Sequence, residues 1–556
     1  MNNLFILNPE SNPNYLATIC KIGETYPIEG ADRLVSTMVN GSSIVVSKDM
    51  KEGDIVVYVP VESQLSEKFL SANNLYEIGE WERNANAPEV KELFQKENEL
   101  RLNGNKDEAD ELHNKIKSMA GYFNNKSRVR IIKLRGCVSD GFIAGVDSLV
   151  KYNPELANCN WEELVGTTFS HVGDDEFCKK FIPPIKETNV QHTGQKKLKK
   201  RMRRLNKFDK LVRGQFMFHY DTNKLDATNI KHLLQPTDTV TLTVKVHGTS
   251  GIFGTLLVKK PSEHNAEYYK NKVKDIFNIK YLNITNHCKN ILKNTYISTK
   301  TKPTIEYGNI YSSRGVIKNR YINNGKKYDY YGCDIWGCVN RDFSPYIPNG
   351  ITVYGEIVGY LENSSSMVQK RHDYGCKVGQ WKFMPYRITE TDKDGNSVEW
   401  NIADVDAWTR KLVKEHPELE EKVLYLNILY HGVASELYPD IPVDDNWHTN
   451  FLERLHNDKN FYMEMREPMC HLYEKEALEA KALLDNAIEK NEPKKTISKL
   501  TKEYENWENM RAPREGVVIR IDNDVKPEAF KVKTLLHQFM EAKQHDDGEV
   551  DIEEIS

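Results

Sequence analysis

The sequence predicts an α+β protein built from several domains, and three observations support this. Its 556 residues exceed what one hydrophobic core serves, which favours roughly two to four domains. Short strand-like runs separated by turn residues dominate the first part of the chain, whereas strands and helices alternate from about residue 211. The hydrophobic content of 39%, with 10% aromatic residues, is sufficient to bury such cores.

The N-terminal part, predicted as a domain over residues 1–190, has the pattern of a small β-barrel. Strand-like runs fill residues 15–65 and return at 127–145, and the Asn40-Gly41 step between two of them is a hairpin signal. Residues 86–119 are rich in Glu and Lys at helical spacing, which predicts a charged helical hairpin inserted into the β domain. An OB fold is the leading interpretation, and a β-barrel without a ligand is the alternative.

A densely basic run, QKKLKKRMRRLNKFDK at 195–210, falls in a predicted linker over residues 191–210. Such a run is usually a solvated helix or linker, but beside a nucleotide-handling site it is also suited to bind phosphates. Both interpretations stay open. The candidate nucleic-acid contacts are the basic residues in its first half, namely Lys196, Lys197, Lys199, Lys200, Arg201, Arg203 and Arg204.

Residues 211–556 read as a second domain of mixed strands and helices. Strands are predicted at TDTVTLTVKVHG, ITVYGEIVGY and EGVVIRID, and LDATNIKHLLQ predicts a short helix. Residues 402–508 are largely helical in pattern and are interpreted as an insertion. HYDT contains His219 and Asp221 at a spacing open to metal binding, although a structural histidine is the better interpretation.

The candidate chemistry begins at Lys245-Val246-His247-Gly248, where a lysine ends a strand and a glycine turn follows. A lysine amine is a nucleophile only when neutral, so it needs burial or nearby cations to lower its pKa. Such a tetrapeptide is common in surface turns, and its meaning depends on the segments after it. In chain order these are Ser313-Arg314, YGEIVG with Glu356, WKFMPYRI with Phe383, EGVVIR with Glu515, and FKVK with Lys531 and Lys533.

This ordered series resembles the motifs of the covalent nucleotidyltransferase superfamily, which includes ATP-dependent DNA and RNA ligases and mRNA capping enzymes. The resemblance covers residues from about 211 to 540. Because the barrel-like part precedes these motifs, and because of the segments RVRIIKLRGCVSDGFI, GQFMFHYDT and KVHGTS, the chain looks like the Deinococcus-type RNA ligases with an N-terminal OB module. One departure is His247, where the superfamily usually has Asp.

The resemblance implies an antiparallel-sheet ligase domain, unrelated to ATP-grasp, that seals RNA 3′-OH and 5′-phosphate ends through an AMP adduct on Lys245. It implies ATP and Mg²⁺, with Mn²⁺ as an alternative, and an RNA substrate whose ends can be bridged on a complementary strand. Lys531 and Lys533, which alternate on one strand face, would reach the α-phosphate. The other implied contacts are Glu515 to the metal, Glu356 to ribose, Arg314 to ribose and phosphate, Phe383 to adenine, and Val246 and Gly248 lining the nucleotide site.

Several other classes are weighed against this one. A DNA ligase and a GTP-using capping enzyme carry the OB domain after the catalytic domain, so domain order argues against both. A non-catalytic RNA-binding protein with a retained ligase fold and a structural scaffold are the alternatives of another kind. The nine scattered cysteines favour neither a zinc site nor a disulfide framework. With no signal peptide pattern and no long apolar run, we expect a cytoplasmic protein, or one in the host-cell cytoplasm if viral.

Overall fold

The computed structural model describes residues 4–28, 30–134, 137–182, 211–218, 222–226, 229–261, 303–318, 331, 333–425, 428–458, 460, 466–521 and 528–546. The basic run at 195–210, with all seven of its candidate contacts, lies outside these residues, as do His219 and Asp221. None of the helices within these ranges is long and apolar enough to cross a membrane.

Where the structure describes it, the N-terminal part is built from short strands and five α-helices. Its strands are β1 (Phe5–Ile6), β2 (Ala17–Lys21), β3 (Thr25–Pro27), β4 (Leu34–Val39), β5 (Ser42–Ser47), β6 (Ile55–Val59), β7 (Ser63–Leu65), β8 (Ile132–Leu134), β9 (Cys137–Ser139), β10 (Phe142–Gly145), β11 (Thr168–Phe169), β12 (His171–Val172), β13 (Asp175–Glu176) and β14 (Cys178–Lys180). Its helices are α1 (Glu67–Ala72), α2 (Ala87–Leu102), α3 (Lys106–Ser118), α4 (Val146–Tyr152) and α5 (Trp161–Leu164).

Two local predictions for this part are confirmed. Asn40 and Gly41 both have positive φ and join β4 to β5, as a two-residue hairpin requires. Helices α2 and α3 form the predicted charged hairpin between residues 86 and 119. The largest sheet has the order β10-β6-β2-β11 over a core that includes Ile19, Val57 and Phe169. Among the described residues its pairings do not close into a barrel, so the OB prediction is not confirmed.

Among its described residues, the second part of the chain carries longer strands and eight α-helices. Its strands are β15 (Asn223–Lys224), β16 (Thr239–Lys245), β17 (Thr249–Pro261), β18 (Pro303–Ser312), β19 (Ile351–Gly359), β20 (Trp381–Thr391), β21 (Ser397–Glu399), β22 (Ile428–Val433), β23 (Gly516–Ile521) and β24 (Glu528–Lys533). Its helices are α6 (Ile230–Leu233), α7 (Ile335–Phe343), α8 (Ile402–Glu415), α9 (Ala434–Leu437), α10 (Trp447–Asn457), α11 (Glu474–Glu489), α12 (Lys494–Met510) and α13 (Leu535–Asp546).

Ten strands of this part form two five-stranded sheets. The first, here named the lysine sheet, has the order β15-β24-β23-β16-β22. Alternate residues of its three central strands, such as Leu242, Ile519 and Val532, enter one hydrophobic cluster with α10, which leaves the residues between them on the opposite face. The predicted strands at 237–248 and 515–522 are confirmed as β16 and β23.

The second sheet, here named the long-strand sheet, has the order β18-β17-β19-β20-β21 and antiparallel pairing throughout. One of its faces packs on α7 and α8 through a core that includes Val353, Trp336 and Val405. Two Asx caps start these helices, since Asp334 accepts from the Gly337 N–H and Asn401 from the Asp404 N–H, both at 2.8 Å.

Residues 402–508, predicted as a largely helical insertion, also contribute a strand and a core helix to the lysine sheet. Strand β22 pairs with β16 and is the outer strand of the lysine sheet. Helix α10 buries Trp447 and Phe451 in the core beneath that sheet. Helices α11 and α12, also in this range, pack on each other as a helical hairpin.

Candidate functional site

The Lys245–Gly248 turn crosses from one sheet to the other. Lys245 is the last residue of β16 in the lysine sheet, and Thr249 is the first residue of β17 in the long-strand sheet. A Cβ at Gly248 would lie 2.4 Å from the carbonyl oxygen of Ile357 and 2.8 Å from Cγ of Glu356, so only glycine fits without displacement. The turn therefore places Gly248, three residues after Lys245, beside Glu356 of the long-strand sheet.

Two lysines share one row of the lysine sheet. Lys245 is in register with Gly516, and Gly516 is in register with Lys533. Residues directly opposite each other point to the same face, and two strand spacings put the two lysine Cα atoms about 10 Å apart. Gly516 itself admits no side chain, because its Cβ would lie 2.1 Å from the carbonyl oxygen of Val532. The gap between the two ammonium groups is thus kept open.

Lys531 and Lys533 lie on one face of β24, as the alternation predicted. Their neighbours Phe530 and Val532 are buried in the core on the other face. Lys533 donates two hydrogen bonds of 2.9 Å to the carboxylate of Glu541 on α13. A pocket beside both lysines is also lined by the N-terminal residues Tyr15 and Glu62. The N-terminal part therefore adjoins the lysine face.

Glu515 is the anion at the centre of the site. Its Oε1 accepts a 2.5 Å hydrogen bond from Nζ of Lys245, and its Oε2 lies 3.5 Å from Nδ1 of His247. Burial by itself would raise the pKa of Glu515, but Lys245 and then His247 outweigh it and hold that pKa well below its usual range. Glu515 is therefore ionised, and the ion pair keeps Lys245 as an ammonium in this state.

Three imidazoles gather around Glu515. The ring of His247 lies 4.7 Å from that of His372 and 4.8 Å from that of His537, measured between centroids. Burial lowers the pKa of His372 to about 4, with His247 adding to the effect, and burial also holds the pKa of His537 well below its usual value. One ligand atom from each of His247, Glu515 and His537 falls within 4.8 Å of the others, a donor set that fits a divalent metal ion.

The free faces of the two sheets look toward each other. Arg387 and Glu399 belong to the long-strand sheet and Arg520 to the lysine sheet, and all three side chains are at most 10% exposed. Glu399 lies 2.8 Å from Nε of Arg387 and 3.5 Å from Nη1 of Arg520, measured to its two carboxylate oxygens. This buried network ties the sheets together. Glu356 is in register with Met384 and lies on the same face as Arg387, so it belongs to the cleft between them.

Comparisons with known proteins give weak overall matches. No family model and no curated protein matches the chain. Among solved structures, an RNA ligase of Naegleria gruberi is similar at 14% identity in a mutant form with ATP and Mn, covering 96% of this chain and 99% of that one, with a TM-score of 0.41. A second mutant form, with AMP and Mn, gives 15% identity, the same coverage and a TM-score of 0.41. The form with PPi gives 15% identity, the same coverage and 0.39.

Two further predicted nucleotide contacts, Phe383 and Arg314, belong to the long-strand sheet and to the turn after β18. Phe383 is in register with Ile357, fully buried, and packs against Phe253 and Phe343 in the core on the far face of the long-strand sheet. Its ring does not face the cleft, and this placement does not favour the predicted stacking on adenine. Arg314 lies in the turn after β18, closed by a 2.9 Å hydrogen bond from the Ser313 N–H to the Val316 carbonyl, and its predicted role stays a prediction.

Sequence reasoning missed His537 and His372 and left the role of His247 open. His537 lies on α13, three residues after Thr534, and belongs to no motif. His372 lies in a loop, where Nδ1 of its ring contacts the backbone carbonyl of Lys370. The hydroxyl of Tyr374 accepts a 2.7 Å hydrogen bond from the His247 N–H and fixes that residue. The one sequence signal for this histidine cluster was His247, which occupies the position where the superfamily that the chain resembles usually has Asp.

Proposed function

We propose that this chain is an ATP-dependent RNA ligase in which Lys245 carries the AMP. The observation that supports this most is the arrangement of Lys245. It ends a strand at a glycine turn, is paired with the buried carboxylate of Glu515, and shares a sheet row with a second lysine, Lys533. A nucleophilic lysine needs a cation such as Lys533 nearby, because positive charge favours loss of the amine proton and neutralises the phosphate under attack.

In the first step Nζ of Lys245 forms a bond to the α-phosphorus of ATP, and the bond to pyrophosphate breaks. The amine must be neutral to attack, whereas in this state Glu515 holds it as an ammonium. Lys531 and Lys533, which point to the same face as Lys245, supply positive charge where negative charge grows on the phosphate oxygens. Their charge also favours loss of the Lys245 proton, which passes to solvent before the attack.

A divalent metal ion would be held by Glu515, with His247 and His537 able to complete its ligands. When bound, it supplies positive charge that polarises phosphate oxygens. The residues fit such an ion, because Oε2 of Glu515 is buried and His247 is the group that faces it. Glu356, on the cleft face beside Gly248, is suited to accept hydrogen bonds from ribose hydroxyls.

The later steps transfer AMP to an RNA 5′-phosphate and then join the 3′-OH with release of AMP. We choose RNA over DNA, and ligation over capping, because of the order of the motifs and because the β-rich N-terminal part precedes the two sheets that carry them. A non-catalytic RNA-binding protein is the second candidate. The retained Lys245, Glu515 and Lys533 cluster argues against it, since binding alone needs no buried lysine–carboxylate pair.

The deciding experiment is incubation of the full chain with α-labelled ATP and Mg²⁺ or Mn²⁺, followed by a denaturing gel. We expect label on the protein from ATP and none from α-labelled GTP. Lys245→Arg should abolish it, whereas Lys259→Arg, at an exposed position of β17, should not. Uptake of AMP by Lys245→Arg would contradict the nucleophile. Label from GTP would favour a capping enzyme, and sealing of DNA in preference to RNA ends would favour a DNA ligase.

A further inference from the structure

His247, Glu515 and His537 converge from three distant parts of the chain. His247 is in the turn between the two sheets, Glu515 directly precedes β23, and His537 is in the first turn of α13. Their candidate ligand atoms lie within 4.8 Å of one another, and Glu515 and His537 are at most 4% exposed. Ligands around one ion at about 2.1 Å would be roughly 3 to 4 Å apart, so small side-chain rotations would close this set.

Nδ1 of His537 is buried with no hydrogen-bond partner among the described residues, and the buried Oε2 of Glu515 has only Nδ1 of His247 facing it, at the long distance of 3.5 Å. Leaving a buried polar atom without a partner is costly, and such an atom commonly marks the position of a missing ion or water. His372 is different, although its ring touches that of His247. Its two ring nitrogens face the carbonyl oxygens of Lys370 and Pro513 at 2.9 and 3.1 Å, so neither is available.

We propose that His247, Glu515 and His537 bind one first-row transition-metal ion and favour it over Mg²⁺. Imidazole nitrogen is a good ligand for Co²⁺, Ni²⁺ and Zn²⁺, whereas Mg²⁺ prefers oxygen ligands and gives up its waters reluctantly. Two imidazoles and one carboxylate thus make a nitrogen-rich site where an all-oxygen set would suit Mg²⁺. The inference rests on the proposed function only in treating Glu515 as a metal ligand.

The same carboxylate serves Lys245 and the metal through different oxygens. Oε1 holds the lysine ammonium, while Oε2 faces His247. The metal would therefore lie on the imidazole side of Glu515, next to the nucleophile. It would also join the Lys245 turn to α13, two elements separated by nearly the whole catalytic region. Binding of the metal ion is thus expected to raise the free energy of unfolding of the chain.

The test is a titration of the full chain with Co²⁺, without nucleotide, followed by visible absorbance and by calorimetry. We expect one Co²⁺ per chain, bound more tightly than Mg²⁺, with visible absorption bands of a nitrogen-containing site and a rise in Tm. His247→Asn and His537→Asn should each lower the Co²⁺ affinity by at least about ten-fold. His431→Asn, at an exposed histidine of β22, is the matched control and should change nothing.

A second variant keeps the test decisive if an asparagine variant folds poorly. His247→Asp replaces nitrogen by oxygen and should shift the preference from Co²⁺ toward Mg²⁺. Unchanged Co²⁺ binding in both asparagine variants, or a wild-type chain that binds Mg²⁺ at least as tightly as Co²⁺, would overturn the site. Metal binding without labelling by ATP would reject the ligase proposal alone. Labelling by ATP that is equally fast in Mg²⁺ and in Co²⁺, and that is insensitive to both asparagine substitutions, would reject the metal proposal alone.

Discussion

Both carboxylate oxygens of Glu541 accept a hydrogen bond from the ammonium of Lys533, each at 2.9 Å. Burial by itself would lower the pKa of Lys533, but Glu541 and then Glu515 outweigh it and hold that pKa well above its usual value. Lys533 is thus a permanent cation whose donors are directed at α13. A phosphate group at the lysine row would have to share or replace Glu541.

Glu541→Gln should strengthen nucleotide binding, because the phosphate would no longer compete with a carboxylate for Lys533. We expect the KM for ATP in self-adenylylation to fall about three- to ten-fold, the range of one charge-assisted hydrogen bond. Glu528→Gln, at an exposed end of β24, serves as the control. A raised KM would mean that Glu541 positions Lys533 for ATP and does not restrain it.

Glu515→Gln should slow self-adenylylation by at least about 100-fold, because the side chain keeps its size but loses the charge that faces Lys245 and the metal position. Single-turnover labelling at saturating ATP measures the rate of this step. Glu390→Gln, on the exposed side of β20, should keep the wild-type rate. A near-normal rate in Glu515→Gln would remove Glu515 from the chemistry.

Phe383→Leu should affect stability and leave nucleotide binding intact. The ring is fully buried between Phe253 and Phe343, so a smaller side chain leaves a partly filled space and costs about 1 to 2 kcal/mol of unfolding free energy. The KM for ATP should stay at the wild-type value. A higher KM with unchanged stability would restore the adenine-stacking role predicted from the sequence.

Glu399→Gln should be strongly destabilising. Both guanidinium groups of the buried network, Arg387 and Arg520, face the carboxylate of Glu399, and the substitution removes that negative charge. Removing one partner of such a buried network costs about 3 to 5 kcal/mol, measured by denaturant unfolding. Asp406→Asn, which breaks the more exposed pair with Arg410, should cost less than about 1 kcal/mol. Equal costs for the two variants would contradict the bridging role.

His456 should make the fold sensitive to acid. Burial lowers the pKa of His456 to about 3, and the nearby Lys224 cation adds to this. A histidine whose pKa is lower in the folded than in the unfolded state binds fewer protons when folded, so its stabilising contribution is complete above about pH 6.5 and is lost as the pH falls toward 3. Between pH 7 and 5 the resulting loss of unfolding free energy amounts to about 2 kcal/mol.

The check is denaturant unfolding of wild-type protein and His456→Gln at both pH values. The variant should lose less stability on acidification, while His431→Gln should lose as much as the wild type. An equal acid loss in all three proteins would show that His456 is already accessible to protons in the folded chain.

Local features were predictable wherever one short stretch determines them. Asn40-Gly41 required positive φ, and the spacing of Lys531 and Lys533 required a shared face. The face of Phe383 was not predictable, because β20 buries residues on both sides and so carries no alternating pattern, and because its pairing with β19 shifts register at Tyr354/Gly355. The approach of His537 to His247 depends on how α13 packs, which no local pattern encodes.

Strand β22 has a consequence for anyone who shortens this chain. It occupies the hydrogen-bonding edge of β16 over residues 239–243, just before Lys245. A fragment without it would present an open strand edge next to Lys245, and such edges pair with copies of themselves. A trimmed protein of that kind would self-associate into inactive aggregates. A shortened chain must therefore keep β22 and also α10, which buries Trp447 and Phe451 in the core beneath the same sheet.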